Sequence, residues 1–279
     1  MKLKHRLPGI LDAAWTYAIL IAVGLVFLFP CLWLVLASFS RSGSIYSFNG
    51  FFPSEFSGDS FKTLFTDTAM YNYPQWFSNT LFIAVMSCVI GSFLVILTAY
   101  VMSRFRFKSR KALMRGTLVL GMFPSFMGMI AVYLLMTQFG LINTHWGLIL
   151  IYSAGAPMGY MVQKGFFDTI SNTIDEAARI DGATNFTIFL RINLPLSMPI
   201  VVYTALTAFT WPWSDFILPK LLLKQKDLYT VAVGLMSLGE TEFSRFAAGS
   251  VFVAVPIVVL YFCLAKFLVN GMSAGAVKG

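Results

Sequence analysis

Charged residues are scarce in this chain. Of its 279 residues, 11% are charged and 58% are hydrophobic, whereas a soluble domain has about 25% charged and about 45 to 50% apolar residues. This composition excludes a soluble globular protein. The sequence also lacks the alternating segments of about ten residues that a membrane β-barrel needs. Because a helix satisfies its own backbone polar groups inside lipid, the sequence predicts an all-α, polytopic membrane protein.

Residues that commonly carry out chemistry are also few. The three cysteines, Cys31, Cys88 and Cys263, lie in separate apolar segments without a CxxC pair, so neither a metal site nor a disulfide is predicted. His5 and His145 are isolated, and no HExxH motif or aspartate cluster indicates a membrane-embedded enzyme. The chain has no GxxxxGK[ST] phosphate-binding loop. No cofactor is therefore expected on this chain.

Long apolar runs are abundant, and each is near the length of about 20 residues that crosses a bilayer as a helix. Six spans are predicted, at about 13–37, 77–102, 116–137, 146–163, 197–218 and 247–269. The first run is too long for the apolar core of a signal peptide, so it is predicted to be a retained span. We interpret residues 1–279 as one transmembrane domain with loops at 38–76, 164–196 and 219–246.

Basic residues indicate the orientation of these spans. The loop after the second span contains no carboxylate and has six basic residues: Arg104, Arg106, Lys108, Arg110, Lys111 and Arg115. The positive-inside rule makes this loop cytoplasmic, together with both termini and the 164–196 loop. The net charge of +8 is then explained by membrane flanks and not by nucleic acid. Four basic residues in the last external loop, Lys220, Lys224, Lys226 and Arg245, go against the rule, which favours an ordered loop there.

The 164–196 loop contains signals for two short helices. Thr173 and Glu176 have the spacing of a capping box, which predicts a helix start, and Gly182 predicts its end. Ile174, Ala177 and Ala178 have the spacing of one helix face.

A second short helix is predicted just after this glycine. Thr184 can cap it, and its Phe186, Phe189 and Leu190 have the spacing of one face. The face of the first helix contains Ala177 and Ala178, and such small residues permit close contact with a partner protein. The alternative is an interfacial helix on lipid headgroups, but residues 164–191 contain three basic and four acidic residues. This balance favours protein docking.

The same loop has a recognisable signature. The sequence EAA at 176–178, followed by Gly182, Ile192, Leu194 and Pro195, resembles the EAA---G---------I-LP signature of permease subunits of binding-protein-dependent ABC importers, and every interval matches. The resemblance covers nearly the whole chain, including the loop after the first span and the tail at 270–279. The chain most resembles the shorter permease of the maltose and multiple-sugar (carbohydrate uptake) subfamily, the MalG-like proteins.

This resemblance implies a half-channel in the bacterial cytoplasmic (inner) membrane with several partners. These are a second, different permease, two ATP-binding subunits that hold ATP and Mg, and an extracellular sugar-binding protein. The loop would be the coupling helix, with ATPase-coupling residues Glu176, Ala177, Ala178, Asp181, Gly182, Ile192, Leu194 and Pro195. In the tail, Ser273, Gly275 and Lys278 would contact the ATPase.

The cargo is less constrained by the sequence. Maltose or maltodextrin is the expected sugar, and galacto-oligosaccharide, alginate, trehalose or glycerol phosphate are alternatives. Trp211 and Trp213 can stack on a sugar beside Asp215, or the two rings can belong to an interfacial aromatic belt.

The last external loop is a candidate contact for the binding protein. It contains Gly239, Glu240 and Thr241, which by analogy with the family reach into that protein; the alternative is a lid on the channel mouth. A secondary transporter is disfavoured because no charged group is evident near mid-membrane.

Overall fold

The computed structural model describes residues 10–47, 51–68, 71–155 and 159–276. Helices dominate this part of the chain, and an isolated antiparallel bridge joins Ser40 to Phe56. The helices are α1 (Ile10–Ser38), α2 (Asp59–Thr66), α3 (Tyr73–Arg104), α4 (Arg110–Gly121), α5 (Ser125–Gln138), α6 (His145–Gly155), α7 (Met161–Thr169), α8 (Asn172–Ile180), α9 (Asn185–Ile188), α10 (Leu194–Leu196), α11 (Met198–Ser214), α12 (Ile217–Leu222), α13 (Val231–Met236) and α14 (Phe243–Ala276). A π-helical turn, Phe189–Asn193, separates α9 from α10.

Three stretches are long and apolar enough to cross a membrane: residues 13–38, 73–104 and 240–267. Two bent pairs, α4 with α5 and α9–α10 with α11, qualify as further spans if each pair is counted as one. The remaining predicted span, 146–163, corresponds to α6 and α7, between which residues 156–158 are not described. An all-α membrane protein is therefore confirmed, and the count of six spans stays a prediction.

The two bends have local causes. Pro124 precedes α5 as its N-cap residue, and the pair α4–α5 bends by 105° there, since proline cannot donate the backbone hydrogen bond that would continue the helix. The second bend, 81°, falls at Ser197, whose hydroxyl donates to the Asn193 carbonyl at 2.6 Å.

Two compact units are present. The larger comprises residues 69–237 and 253–279, and α3 is its central helix, packed against α6, α7 and α11. One apolar cluster surrounds Ile83 in the first half of α3, and another surrounds Ile96 and Tyr100 in the second half. Helix α3 thus supports both ends of this unit.

The 219–236 segment is held against the beginning of α3. The Trp76 indole N–H donates to the Lys226 carbonyl at 2.9 Å, and the Asn79 amide donates to the Asp227 carbonyl at 2.6 Å. Most of the residues of α13 are buried. The expectation of an ordered loop here is confirmed.

The smaller unit comprises residues 1–68 and 238–252. Arg245 pairs with Asp67 at 3.6 Å and with Glu242 at 3.3 Å. Most large apolar side chains of α1 are exposed, as expected of a helix in lipid. The Tyr46 hydroxyl donates to the Glu240 carboxylate at 2.8 Å, which ties the loop after α1 to the turn before α14.

Candidate functional site

Helix α8 carries the EAA residues, and its start differs from the prediction. Ser171 is the N-cap residue, and its hydroxyl accepts from the Thr173 backbone N–H at 3.3 Å. The predicted capping box is wrong, because Thr173 and Glu176 lie inside the helix. Ser171 is the last residue with extended backbone and therefore takes the N-cap position. The helix thus begins two residues earlier than predicted.

The end of α8 is as the sequence indicated. Gly182 has φ +81°, a left-handed conformation that favours glycine. Its N–H donates to the Arg179 carbonyl at 3.0 Å, and the Ala183 N–H donates to the Ala178 carbonyl at 2.9 Å. These two bonds form a Schellman motif. The predicted cap of α9 is also confirmed, since the Thr184 hydroxyl accepts from the backbone N–H of Thr187 at 3.2 Å.

The two faces of α8 have different character. Asp175 and Ala178 are buried against the rest of the unit, whereas Glu176, Ala177 and Ile180 are exposed. The prediction that Ala177 and Ala178 share the free face is therefore wrong. Ile180, which the sequence reasoning did not select, is 87% exposed and dominates that face. The free surface of α8 therefore carries a carboxylate, a small residue and a large apolar residue.

The predicted apolar face of the second short helix is also wrong. Phe189 is 8% exposed, and its ring lies 4.6 Å from that of Tyr100, whereas Phe186 is 70% exposed. Leu190 is exposed as well. Phe189 also begins the π-helical turn, whose wider spacing departs from the α-helical spacing on which the prediction relied.

The remaining signature residues follow this turn, and Asp181 precedes it. Ile192 and Leu194 are partly buried, Pro195 and Asp181 are exposed, and Asp181 is the C-cap residue of α8. The structure therefore brings Glu176, Ala177 and Asp181 to an exposed surface and leaves Ala178 behind it.

A buried ionic network beneath α8 was missed by the sequence reasoning. The Arg104 Nε and Asp175 Oδ2 atoms are 3.2 Å apart, and each side chain is 3% exposed. Asp175 Oδ1 also accepts from the Asn193 amide at 2.8 Å. The Arg104 Nη2 group donates to Asn193 Oδ1 at 3.1 Å and to the Ile170 carbonyl at 3.0 Å, while Nη1 donates to Asn172 Oδ1. In the sequence, Arg104 is one of six basic residues of a loop, and nothing local distinguishes it from the other five.

A second, more exposed ion pair attaches α7 to α3. Lys164 pairs with Asp168, whose other oxygen accepts from the Ser103 hydroxyl at 2.6 Å. Partial burial acts to raise the pKa of Asp168, but the bonds from Lys164 and Ser103 and the charge of Arg110 outweigh it and hold the pKa below its usual range. The 164–196 loop is thus tied to the end of α3 at two points.

A cavity of about 1050 Å³ lies among α3, α5, α6, α7 and α11. Its wall combines apolar residues with Tyr152, Gln163, Tyr203, Trp211 and Asp215. The Gln163 side chain is buried and its Nε2 donates to Thr204 Oγ1, but its Oε1 has no hydrogen-bond partner within the described part of the chain.

The candidate sugar-contacting residues are divided by the structure. Trp211 is 61% exposed and lines the cavity. Trp213 is 2% exposed and packs against Phe77 with ring centroids 5.1 Å apart, so it offers no free ring face and its predicted role is wrong. Asp215 accepts from the Tyr152 hydroxyl of α6 at 3.0 Å, so a neighbouring helix supplies a hydrogen-bond donor to this carboxylate.

Other predicted residues lie elsewhere. Gly239, Glu240 and Thr241 form an exposed turn at the start of the 240–267 stretch. In the tail, Ser273 and Gly275 belong to α14, which continues to Ala276 and so beyond the predicted end of the last span. Lys278 lies outside the described residues.

His145 is isolated in the sequence. In the structure it begins α6, and its Nε2 is 3.0 Å from the Leu228 carbonyl oxygen, which is a structural contact.

Comparison with known proteins agrees with this architecture. Residues 96–274 match the family described as "Binding-protein-dependent transport system inner membrane component". The match includes the end of α3, the EAA segment and most of α14. The chain therefore belongs to this family of inner membrane transport components.

Several named relatives are similar over nearly their full length. The chain is 37% identical to the galactooligosaccharides transport system permease protein GanQ of Bacillus subtilis, covering 95% of both chains. It is 39% identical to the maltodextrin transport system permease protein MdxG of the same organism, covering 96% of this chain and 97% of the relative. It is 35% identical to the maltodextrin permease protein MalD of Streptococcus pneumoniae, covering 100% and 99%.

A solved structure confirms the fold. A chain of a bacterial ABC transporter involved in the import of alginate superposes with a TM-score of 0.74 at 20% identity, covering 94% of this chain and 99% of that chain. The permease fold of an ABC importer is thus shared by the two proteins.

Proposed function

We propose that this protein is one of two different permease subunits of an ABC importer for an oligosaccharide, with maltodextrin as the first cargo to test. The names of MdxG and MalD support maltodextrin, and the name of GanQ supports galacto-oligosaccharide as the alternative. The assembly would include two ATP-binding subunits and an extracellular sugar-binding protein. ATP and Mg would be held by the ATP-binding subunits, because the chain has no phosphate-binding loop.

The observation that carries this proposal is the two-sided character of α8. Its inner face is anchored by the buried Asp175, whereas its outer face presents Glu176 and the 87% exposed Ile180. A large exposed aliphatic side chain beside a carboxylate is typical of a protein interface with an apolar centre and a polar rim. The occupant we infer is an ATP-binding subunit on the cytoplasmic side, where the positive-inside rule also places both termini.

The test of this docking surface is Glu176→Lys. The side chain is exposed, so the chain should fold and insert as before. Reversal of an interfacial charge should weaken binding of the ATP-binding subunit at least about tenfold, measured by co-purification with the tagged chain from membranes. Asp227→Lys, the same reversal at an exposed site on the 219–236 segment, is the control. Unchanged co-purification of the Glu176→Lys protein would contradict the docking role.

The cavity is proposed as part of the sugar pathway, with Trp211 as a stacking platform. Its ring is 61% exposed, and Gln163 and Asp215 line the same cavity. A sugar offers an apolar ring face to the indole and hydroxyl groups to the polar side chains of the wall, Asp215 among them. Trp211→Ala should therefore raise the KM for uptake of radiolabelled maltotriose about threefold to tenfold. Trp15→Ala, which removes an exposed indole from α1, is the matched control. An unaltered KM in the Trp211 variant would show that Trp211 does not contact the sugar.

Two further contacts complete the proposal. The exposed turn at Gly239, Glu240 and Thr241 would meet the sugar-binding protein on the external side, where it is braced by Tyr46. The tail residues Ser273, Gly275 and Lys278 would approach the ATP-binding subunits.

A further inference from the structure

The Arg104 network joins three parts of the 164–196 loop to one helix end. From the last residue of α3, the guanidinium reaches the Ile170 carbonyl after α7, Asp175 and Asn172 on α8, and Asn193 in the π-helical turn. These three parts are separated along the chain but meet at a single planar group. Movement of α8 relative to α3 would have to break several of these contacts together.

Stability alone does not explain such a network. A buried ion pair is often no more stabilising than well-packed apolar residues of similar size, because both charges must be desolvated. A guanidinium also fixes geometry, since its rigid, planar set of N–H donors sets the angle at which each partner is held. Lysine carries the same charge as a single flexible point and cannot hold these partners simultaneously.

The position of Asp175 links this fixed geometry to the proposed docking surface. Asp175 directly precedes Glu176, so about 100° of helix rotation separates the anchored residue from the proposed docking residue. The chain itself leads from α8 through α9 and the π-helical turn to α11. The ion pair supplies a second and more direct route from α8 to α3, which runs for 32 residues along the unit and lines the cavity.

We propose that Arg104 is a positioning residue of the transport cycle, which makes α8 and the end of α3 move as one body when a docked ATP-binding subunit displaces α8. The proposal rests on the function proposed above. The Lys164–Asp168–Ser103 contacts also tie α7 to α3. They should hold the loop near its place in variants of Arg104, but they do not reach α8 itself.

The experiment uses the complete complex in proteoliposomes and measures sugar molecules imported per ATP hydrolysed. In Arg104→Lys we expect assembly to be retained, hydrolysis to continue and this ratio to fall at least about fivefold, at the lower end of typical coupling between sites. Arg191→Lys, in which an exposed arginine of the same loop is changed, should keep the original ratio. A wild-type ratio in assembled Arg104→Lys complexes would overturn the proposal.

A second variant separates positioning from folding. The double replacement Arg104→Met with Asp175→Leu removes both buried charges and should assemble, since apolar side chains can replace a buried pair without loss of stability. It should still import less sugar per ATP. If it assembles and couples normally, or if neither this variant nor Arg104→Lys assembles, the network serves only packing and the proposal fails. Failure of the wild-type complex to hydrolyse ATP or import sugar would instead refute the proposed function.

Discussion

The two ends of α3 hold two loops in different ways. At its beginning, neutral side chains such as Trp76 and Asn79 bind backbone carbonyls of the 219–236 segment. At its end, the charged Arg104 binds the 164–196 loop through a buried carboxylate. About 40 Å of helix separates the two attachments, at 1.5 Å per residue.

The loops also differ in what they leave exposed. In the 219–236 segment, Val231 and Val233 are fully buried and Gly234 lies directly against the Trp76 ring, so most of its apolar surface is used within the chain. The 164–196 loop is also anchored, through Asp175 and Asn193, but leaves Ile180 and Phe186 largely exposed. A loop that is rigid yet incompletely buried is suited to a partner outside the chain. The comparison thus indicates a structural role for one loop and supports the docking role proposed for the other.

The largest effect on folding is expected where the 219–236 segment meets α3. A Cβ atom at Gly234 would lie 2.0 Å from Cε3 of the buried Trp76 ring. Gly234→Ala should therefore destabilise the protein by about 1 to 3 kcal/mol, the usual cost of overpacking a core. Thermal unfolding of the detergent-purified protein measures this, with Gly239→Ala as the control, where the nearest atom would be 3.8 Å away. Equal melting temperatures for the two variants would show that this contact is loose.

An effect on binding and not on folding is expected at Ile180. Burial of an isoleucine side chain contributes about 1.5 to 3 kcal/mol, so Ile180→Asp should weaken recruitment of the ATP-binding subunit by at least that amount. Melting of the isolated chain should be unchanged because the residue is 87% exposed. Met236→Asp, at a 60% exposed position of the other segment, should leave recruitment intact. Equal losses in both variants would remove the distinction between the loops.

A pair of glycines in the 164–196 loop tests its rigidity. Gly182→Ala places a side chain in the left-handed region and should cost about 1 to 2 kcal/mol. Gly165→Ala, within α7 where a Cβ meets open space, should be neutral or stabilising by up to about 1 kcal/mol. Opposite shifts in melting temperature are the expected result. If both substitutions lowered it equally, the strained turn at Gly182 would not be the cause.

The smallest effect is a pH dependence at Asp168. Because its pKa is lowered in the folded state, its contribution to stability is present above the unfolded pKa of about 3.9. That contribution is lost as the pH falls through the folded value. The difference in melting temperature between wild type and Asp168→Asn should be small at pH 6, since the aspartate side chain is 44% exposed, and should decrease as the pH falls below about 3.9. A difference that grew on acidification would contradict the sign of this pKa shift.

Prediction succeeded where a residue type has one strong local preference. Gly182 and Thr184 were assigned correctly because a left-handed cap and a side-chain N-cap depend on neighbours within a few residues. Prediction failed where two nearby residues can each serve as the N-cap of a helix, as with Ser171 and Thr173. It failed again where burial decides the role, as with Trp211 and Trp213, which are alike in sequence and opposite in exposure.

The sequence by itself determined the membrane class, the helical fold and the position of the EAA loop, because hydrophobic length and short-range caps are properties of contiguous residues. The tertiary structure alone decided which face of α8 is free, and that Arg104 is the basic residue that pairs with Asp175, 71 positions further along the chain. Pairing at that distance depends on how α3, α8 and the π-helical turn pack together. No local pattern carries that information.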